Sequence, residues 1–128
     1  MICISDHRTD PYFNLAAEEY LLKNSSEEYF MLWRNEPSIV VGKHQNALAE
    51  IDLNYAREKE IKIARRISGG GTVFHDLGNL NFSFISNGEE GKLINYRKYA
   101  GPIVEVLAML GINATYSKRD DILIDGMK

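Results

Sequence analysis

The chain has 128 residues, 45% of them hydrophobic and 26% charged, with a formal net charge of −3. This is enough for one domain with a real core, of ordinary soluble composition, and its acidic balance argues against a dedicated nucleic-acid binder. No apolar run approaches a membrane span, and Met1–Arg8 lacks the long apolar core of a secretory signal, so a cytoplasmic setting is expected. Cys3 is the one cysteine, so a disulfide within the chain is excluded. Its place in the short apolar run Ile2-Cys3-Ile4 predicts a buried strand residue.

Residues 1–5 read as a short strand. Asp10 followed by Pro11 starts a helix, with a capping acceptor and a proline at the first helical position. Leu15, Ala16, Tyr20 and Leu22 form its apolar stripe through about Lys23. After the polar loop Asn24–Glu28, strands are expected at Tyr29–Arg34 and Ser38–Gly42, with Glu36-Pro37 turning the chain between them. Asp52 caps a helix over Leu53–Glu60, and Ile61–Arg65 is a short strand.

That strand delivers the chain to Arg65-Arg66-Ile67-Ser68-Gly69-Gly70-Gly71-Thr72-Val73-Phe74-His75-Asp76, the most informative stretch. Glycines let backbone N–H groups converge on an anion. Arginines add planar, permanently charged forks that match phosphate or carboxylate. No Gly-Lys-Ser/Thr closes the loop and the glycines are contiguous, so neither the P-loop nor the dinucleotide fingerprint applies. A bare triple glycine would be a flexible turn; the paired arginines favour an anion site.

Further on, Leu80, Phe82 and Phe84 alternate with Asn81 and Ser83, predicting a strand with one buried face. Gly88–Gly91 reads as an exposed loop. A helix follows from Tyr96 to Leu110, with Ile103, Val106, Leu107 and Leu110 inward and Pro102 marking a kink or a later start. Gly111 sits at a C-cap position, and Asn113–Ser117 and Ile122–Asp125 are the last strands. The irregular order of strands and helices favours an α+β fold with antiparallel pairs over a doubly wound parallel sheet. Asp125-Gly126 is a strong hairpin turn signal, yet only Met127 and Lys128 follow it. An N-terminal fragment is therefore expected.

The glycine motif and its sequel Leu77-Gly78-Asn79-Leu80-Asn81-Phe82-Ser83-Phe84-Ile85 resemble the signature of lipoate–protein ligases. Asp10–Glu19 resembles that family's opening helix. Leu32-Trp33-Arg34-Asn35, Ile39–Gly42 and Gln45-Asn46 resemble its early strands. Arg119–Lys128 resembles the segment with its essential lysine. The resemblance implies a mixed, largely antiparallel sheet flanked by helices, the biotin/lipoate ligase catalytic fold. Residues 1–128 would be the N-terminal portion, with no complete accessory domain. It also implies activation of lipoate by ATP as lipoyl-adenylate, then transfer to a lysine of lipoyl-domain proteins: the E2 subunits of 2-oxoacid dehydrogenases and the glycine cleavage H protein.

By the same resemblance, Arg66, Gly71, Thr72, Val73 and Phe74 contact ATP. Gly42, Gln45, Asn46, Arg66, Ser68, Gly69 and Gly70 contact lipoate. Lys128 is catalytic and reaches both ligands, and Asp121 is the Mg2+-side carboxylate. The family commonly has Asn before that Asp, where this chain has Asp120. Trp33 and Val41 are candidates either for contact with the apolar tail or for plain core packing. His44 and His75 lack metal-ligand spacing, and His75 is expected to buttress the glycine loop. The alternatives are an octanoyl or lipoyl transferase of the same fold, whose cysteine-dependent members need a thiolate that Cys3 does not match, and a non-catalytic lipoate- or nucleotide-binding module. A biotin ligase would need an arginine–glycine alternation that is missing.

Overall fold

The computed structural model describes residues 1–87, 96–117 and 121–127. Its elements are β1 (Ile2–Ser5), α1 (Pro11–Asn24), β2 (Tyr29–Trp33), β3 (Ser38–Val41), α2 (Ala47–Glu50), α3 (Leu53–Glu58), β4 (Lys62–Arg65), β5 (Val73–His75), β6 (Asn81–Ile85), α4 (Tyr96–Met109), β7 (Ala114–Tyr116) and β8 (Ile122–Ile124). The expected loop at Gly88–Gly91, the Arg119-Asp120 step and Lys128 lie outside the described residues. The chain divides into two compact units, 1–87 and 88–128.

The first unit holds two small mixed sheets. In one, β2 pairs parallel with β1 and antiparallel with β6; in the other, β3 pairs parallel with β4 and antiparallel with β5. The α+β expectation holds, with two sheets in place of one and a parallel pair in each.

Asp10 caps α1 as its sequence requires, accepting from the backbone N–H of Tyr12 and Phe13 at 2.9 Å each. Lys62 of β4 bonds the same carboxylate and also Glu36, so the helix start is tied to the second sheet. The inward face of α1 differs from the expected stripe. Leu15, Ala17 and Leu21 pack against Met31, Trp33 and Ile85, while Tyr20 and Leu22 are exposed. Asn14 and Glu18 share that inward face, because each finds hydrogen-bond partners there. The amide of the buried Asn14 donates to the carbonyls of Arg8 and Arg34 and to Asn35 Oδ1, at 2.9 to 3.2 Å. A polar residue so satisfied takes a place that an apolar stripe would otherwise hold.

The face of β6 is likewise reversed. Ser83 and Ile85 lie on the side of Met31 and Trp33, while Leu80 and Phe82 are exposed. The opposite side carries Phe30, Phe82 and Phe84, whose rings pair at 4.8 and 6.1 Å. Alternation alone identified the strand; Trp33 and Glu18 decided which face turned inward, because both bond Ser83. Cys3 is exposed, correcting its expected burial: it pairs with Phe30, on the face of the sheet opposite Met31 and Trp33, while its neighbour Ile4 packs on the core.

The second sheet packs Val41 against Ile51 and Ala56, with Ile39, Ala47, Ile61 and Ile63 around them. Val41 is therefore core. Asp52 caps α3 through the N–H groups of Asn54 and Tyr55. That helix ends at Glu58, short of the expected Glu60, because Glu60 turns to a positive φ of 52° and Ile61 N–H bonds back to the Ala56 carbonyl. The four-residue α2 was not foreseen.

In the second unit, α4 carries Pro102 inside it, and the positive φ of Gly111 ends the helix region as expected. Ile103 and Leu107 are half-buried, whereas Val106 and Leu110 are exposed. Strands β7 and β8 pair antiparallel. Asp125 and Gly126 both adopt positive φ, and Ile124 exchanges backbone hydrogen bonds with Met127, which makes the expected two-residue hairpin turn.

Replacing Asn14 by Ala removes the donor that the carbonyls of Arg8 and Arg34 and the Asn35 amide oxygen share. Urea unfolding should show a loss of about 1–3 kcal/mol, with an unchanged slope against denaturant.

Candidate functional site

Two loops meet at one edge of the second sheet. Because β3 and β4 run parallel, the segments that follow them, 42–46 and 66–72, leave from the same end. Backbone bonds join them: Arg66 N–H to the Val41 carbonyl at 3.0 Å and Lys43 N–H to the Ser68 carbonyl at 2.9 Å. The contact is tight enough to demand glycine at position 42. A Cβ there would stand 2.0 Å from the Gly70 carbonyl oxygen. Gly70 itself holds a φ of +91°, where a side chain would be strained and would meet the Arg66 guanidinium at 2.9 Å.

The two arginines divide the labour. Arg65 turns back to the first loop, donating to the carbonyls of Gly42 and Gln45 at 2.8 Å each. Arg66 gathers its own loop, donating through Nη2 to the carbonyls of Gly69 at 2.8 Å and Gly71 at 2.7 Å. Its Nη1 donates to the Val40 carbonyl at 3.2 Å. The Thr72 hydroxyl adds a side-chain link, donating to Gln45 Oε1 at 2.6 Å. With its carbonyls drawn toward Arg66, the exposed glycine run is held in one shape.

Beside Arg66 lies a cleft of about 180 Å³, with Leu15, Glu18, Trp33, Ser68, Val73 and His75 in its lining. A second cleft, of about 330 Å³, shares Leu15 and Glu18 but is lined by Ile63, Ala64 and Ile67. It touches neither Arg66 nor the glycines. The smaller cleft combines an apolar wall with the Arg66 guanidinium and Ser68, the residue that precedes the glycines, which is the make-up of a site for an amphipathic anion.

Charge inside the smaller cleft is tuned by burial. Desolvation raises the Glu18 carboxyl above its ordinary range, opposed by its hydrogen bond from Ser83 and by the charge of Arg66. Desolvation, then the Arg66 charge, lowers His75, which is therefore neutral at physiological pH. His75 Nδ1 lies 3.1 Å from the Asn35 amide nitrogen. Since Asn35 Oδ1 already accepts from Asn14, the amide donates and the ring nitrogen accepts. His75 thus braces Asn35 rather than the glycine loop.

Of the residues expected from sequence, Gly42, Gln45, Arg66, Ser68, Gly69, Gly70, Gly71 and Thr72 come together in the two loops. Asn46 caps α2 through Leu48 N–H. Val73 and Phe74 stand on β5 with 42% and 54% of their surface exposed. Trp33 is both core and cleft wall. In the second unit, the Asp121 N–H donates to Ser117 Oγ at 3.1 Å, and its carboxylate accepts from the same hydroxyl at 3.3 Å. Among the described residues, no three His, Cys, Asp or Glu side chains cluster to hold a metal. Sequence reasoning missed Glu18, Ser83 and Asn35. An acidic pair, Glu18-Glu19, within an otherwise apolar helix segment was the available signal for the first.

Residues 10–128 match the family model of the lipoyl protein ligase A/B catalytic domain. The chain belongs to that family. It is 48% identical over 122 residues to lipoate–protein ligase 1 of Staphylococcus aureus, covering 94% of this chain. It spans 37% of that relative's length. Among solved structures it resembles P. falciparum LipL1 in complex with lipoate, with a TM-score of 0.86 and 32% identity over 97% of this chain and 40% of that one. It also resembles a lipoate-protein ligase A bound with ATP, with a TM-score of 0.84 and 28% identity over 94% of this chain and 52% of that one. The fold is that of lipoate ligase catalytic domains.

Gly42→Ala should force the two loops apart and cost about 1–3 kcal/mol in denaturant unfolding. Ala at the open Gly71, where an added Cβ meets nothing within 4 Å, should cost less.

Opposite pH slopes should come from His75 and Glu18. The lowered His75 contributes stability that is full above its ordinary value of about 6.5 and is lost as pH falls. The raised Glu18 contributes stability that is full below its ordinary value of about 4.3 and is lost as pH rises through its folded value. In thermal melts, the advantage of the parent over His75→Gln should therefore shrink toward acid pH. Its advantage over Glu18→Gln should shrink toward neutral pH.

Proposed function

We propose that the chain forms the N-terminal portion of the catalytic domain of an ATP-dependent lipoate–protein ligase acting in the cytoplasm. The observation that carries this reading is the pair of interlocked loops, organised by Arg66, beside an apolar-walled cleft. An acyl tail fits the cleft beside Trp33 and Leu15, with its carboxylate toward Arg66, Ser68 and the Gly69-Gly70 backbone. Gly42 and Gln45 support this subsite by holding the loop, and Asn46 does so by capping α2. Gly71, Thr72 and the exposed edge at Val73 and Phe74 face the nucleotide in this reading.

The chemistry needs positioning more than a protein nucleophile. A lipoate carboxylate oxygen attacks the α-phosphorus of ATP, pyrophosphate leaves, and lipoyl-adenylate forms. The lysine amine of an acceptor lipoyl domain then attacks the acyl carbon and AMP leaves. Two anions must approach one another, so cations and backbone dipoles that neutralise spreading charge lower the barrier. Arg66 supplies part of that field through its charge, even with its N–H groups engaged by loop carbonyls. Lys128 is assigned the ammonium between carboxylate and phosphate.

A single carboxylate such as Asp121 fits Mg2+ arriving with ATP, because that ion takes few protein ligands and completes its shell with phosphate and water. The acceptors proposed are the E2 subunits of 2-oxoacid dehydrogenases and the glycine cleavage H protein.

The test is to incubate a protein extended past Lys128 with ATP, Mg2+ and lipoate and to measure lipoyl-adenylate by mass spectrometry. Arg66→Ala should lower its formation by about 100-fold or more, and Arg66→Lys should not restore it, because a point charge cannot gather several carbonyls. Lys128→Met should suppress the adenylate to a similar degree. Normal yield from either variant would remove that residue from the mechanism. No adenylate from the parent protein would overturn the ligase reading.

A further inference from the structure

A relay of buried amides runs from the start of α1 to the cleft, and the reaction outlined above does not use it. The Asn14 amide nitrogen faces the backbone carbonyls of Arg8 and Arg34, which can only accept, so that end of the side chain is the donor. It donates also to Asn35 Oδ1, which leaves the Asn35 amide nitrogen to donate to His75 Nδ1 at 3.1 Å. An imidazole that accepts at Nδ1 carries its proton on Nε2. Two backbone carbonyls thus fix the tautomer of a histidine, through side chains that are 2% and 0% exposed. The His75 ring lines the cleft together with Arg66 and Ser68. With Nδ1 turned to the buried Asn35, the edge that carries Nε2 is the one left for the cleft. Among the described residues Nε2–H has no acceptor. Asn81 Nδ2, a donor on β6 in the same lining, has none either. A cleft with unused donors is completed by a ligand that brings acceptor oxygens.

We propose that His75, set as the Nε2–H tautomer by Asn35 and Asn14, donates to the acyl oxygen of the bound ligand and stabilises the negative charge that gathers there during transfer. This rests on the lipoate reading for the identity of the ligand. In that reading the carboxylate lies toward Arg66 and Ser68, whose cleft His75 shares, and the Arg66 charge is felt at the His75 ring. When the acceptor amine nitrogen adds to the acyl carbon of the adenylate, the carbonyl electron pair moves onto the acyl oxygen. The pair returns as the bond to AMP breaks, and the nitrogen releases its proton to solvent. A donor already aimed at that oxygen lowers the barrier without reorganising at the moment of reaction. The relay excludes the other tautomer, whose bare Nε2 lone pair would repel the same oxygen. His75 is the catalytic residue here, and Asn35 and Asn14 are positioning residues.

The experiment uses the extended protein and supplies lipoyl-adenylate directly, so that transfer to a lipoyl-domain lysine is read apart from adenylate formation. His75→Asn keeps an amide toward Asn35 but is too short to bring a donor to the place of Nε2. It should slow transfer by about 100-fold, while adenylate formation from ATP and lipoate falls much less. His75→Gln, long enough to set an amide N–H where Nε2 stands, should recover most of the rate. Nitrogen-15 NMR of the parent should show Nε2 protonated and Nδ1 bare. Asn35→Asp, which offers Nδ1 only acceptor oxygens, should bring a proton to Nδ1. Parental transfer by His75→Asn, equal losses in His75→Asn and His75→Gln, or a protonated Nδ1 in the parent would each overturn the proposal. If the parent makes no adenylate from ATP yet transfers from supplied lipoyl-adenylate in a His75-dependent way, the donor stands and the ATP-dependent reading fails. If it makes adenylate and His75→Asn transfers normally, the ligase reading stands and the donor falls. A parent that does neither overturns both. Should His75→Asn not fold, His75→Glu, as long as Gln but without its donor, makes the same comparison.

Discussion

A single guanidinium organises the functional edge of this protein. Arg66 reaches the carbonyls of Val40, Gly69 and Gly71 from one planar head, which ties strand β3 to both ends of the glycine run. Glycines alone would leave that run free to sample many shapes, since glycine loses the most backbone freedom on folding. The rigid fork of donors compensates by offering several bonds in fixed directions. The close approach of Gly42 to Gly70, the link from Thr72 to Gln45 and the turn of Arg65 toward the first loop all depend on the shape Arg66 imposes.

The same charge reaches into the cleft. It adds to burial in lowering His75 and partly offsets the upward pull of burial on Glu18. The cleft therefore holds a guanidinium, an imidazole whose protonation burial disfavours and a carboxyl whose ionisation burial disfavours. The Ser83 hydrogen bond and the Arg66 charge both favour the ionised form of Glu18 against the pull of burial. Strand order matters as much as charge. The parallel β3–β4 pair brings two loops to one edge, and the antiparallel β5 carries the chain away from it.

Much of this was legible in the residues. Asp10-Pro11 and Asp52 announce helix starts, Asp125-Gly126 announces a hairpin turn, and Arg65–Asp76 announces a glycine loop entered by two arginines. Each is a local signal, written in capping groups, turn geometry or backbone freedom within a few neighbours. Less legible were the faces. On α1 the apolar residues Tyr20 and Leu22 point out while Asn14 and Glu18 point in. On β6 Phe82 faces out and Ser83 faces in. Hydrophobic periodicity assumes that polar side chains lose by burial, and these win because distant partners satisfy them.

By itself, then, the sequence determined where several helices start and the last hairpin turns, and that the fold mixes helices and strands. Those properties depend on residues close together along the chain. Tertiary structure alone decided that Arg66 acts first on its own loop, that Arg65 braces the neighbouring one, and that Ser83 joins Trp33 to Glu18. The partners in the last case are separated by 50 and 65 positions. A hydrogen bond between such residues leaves no period or spacing in the sequence, because it exists only once the sheet has brought both strands and the helix to one place.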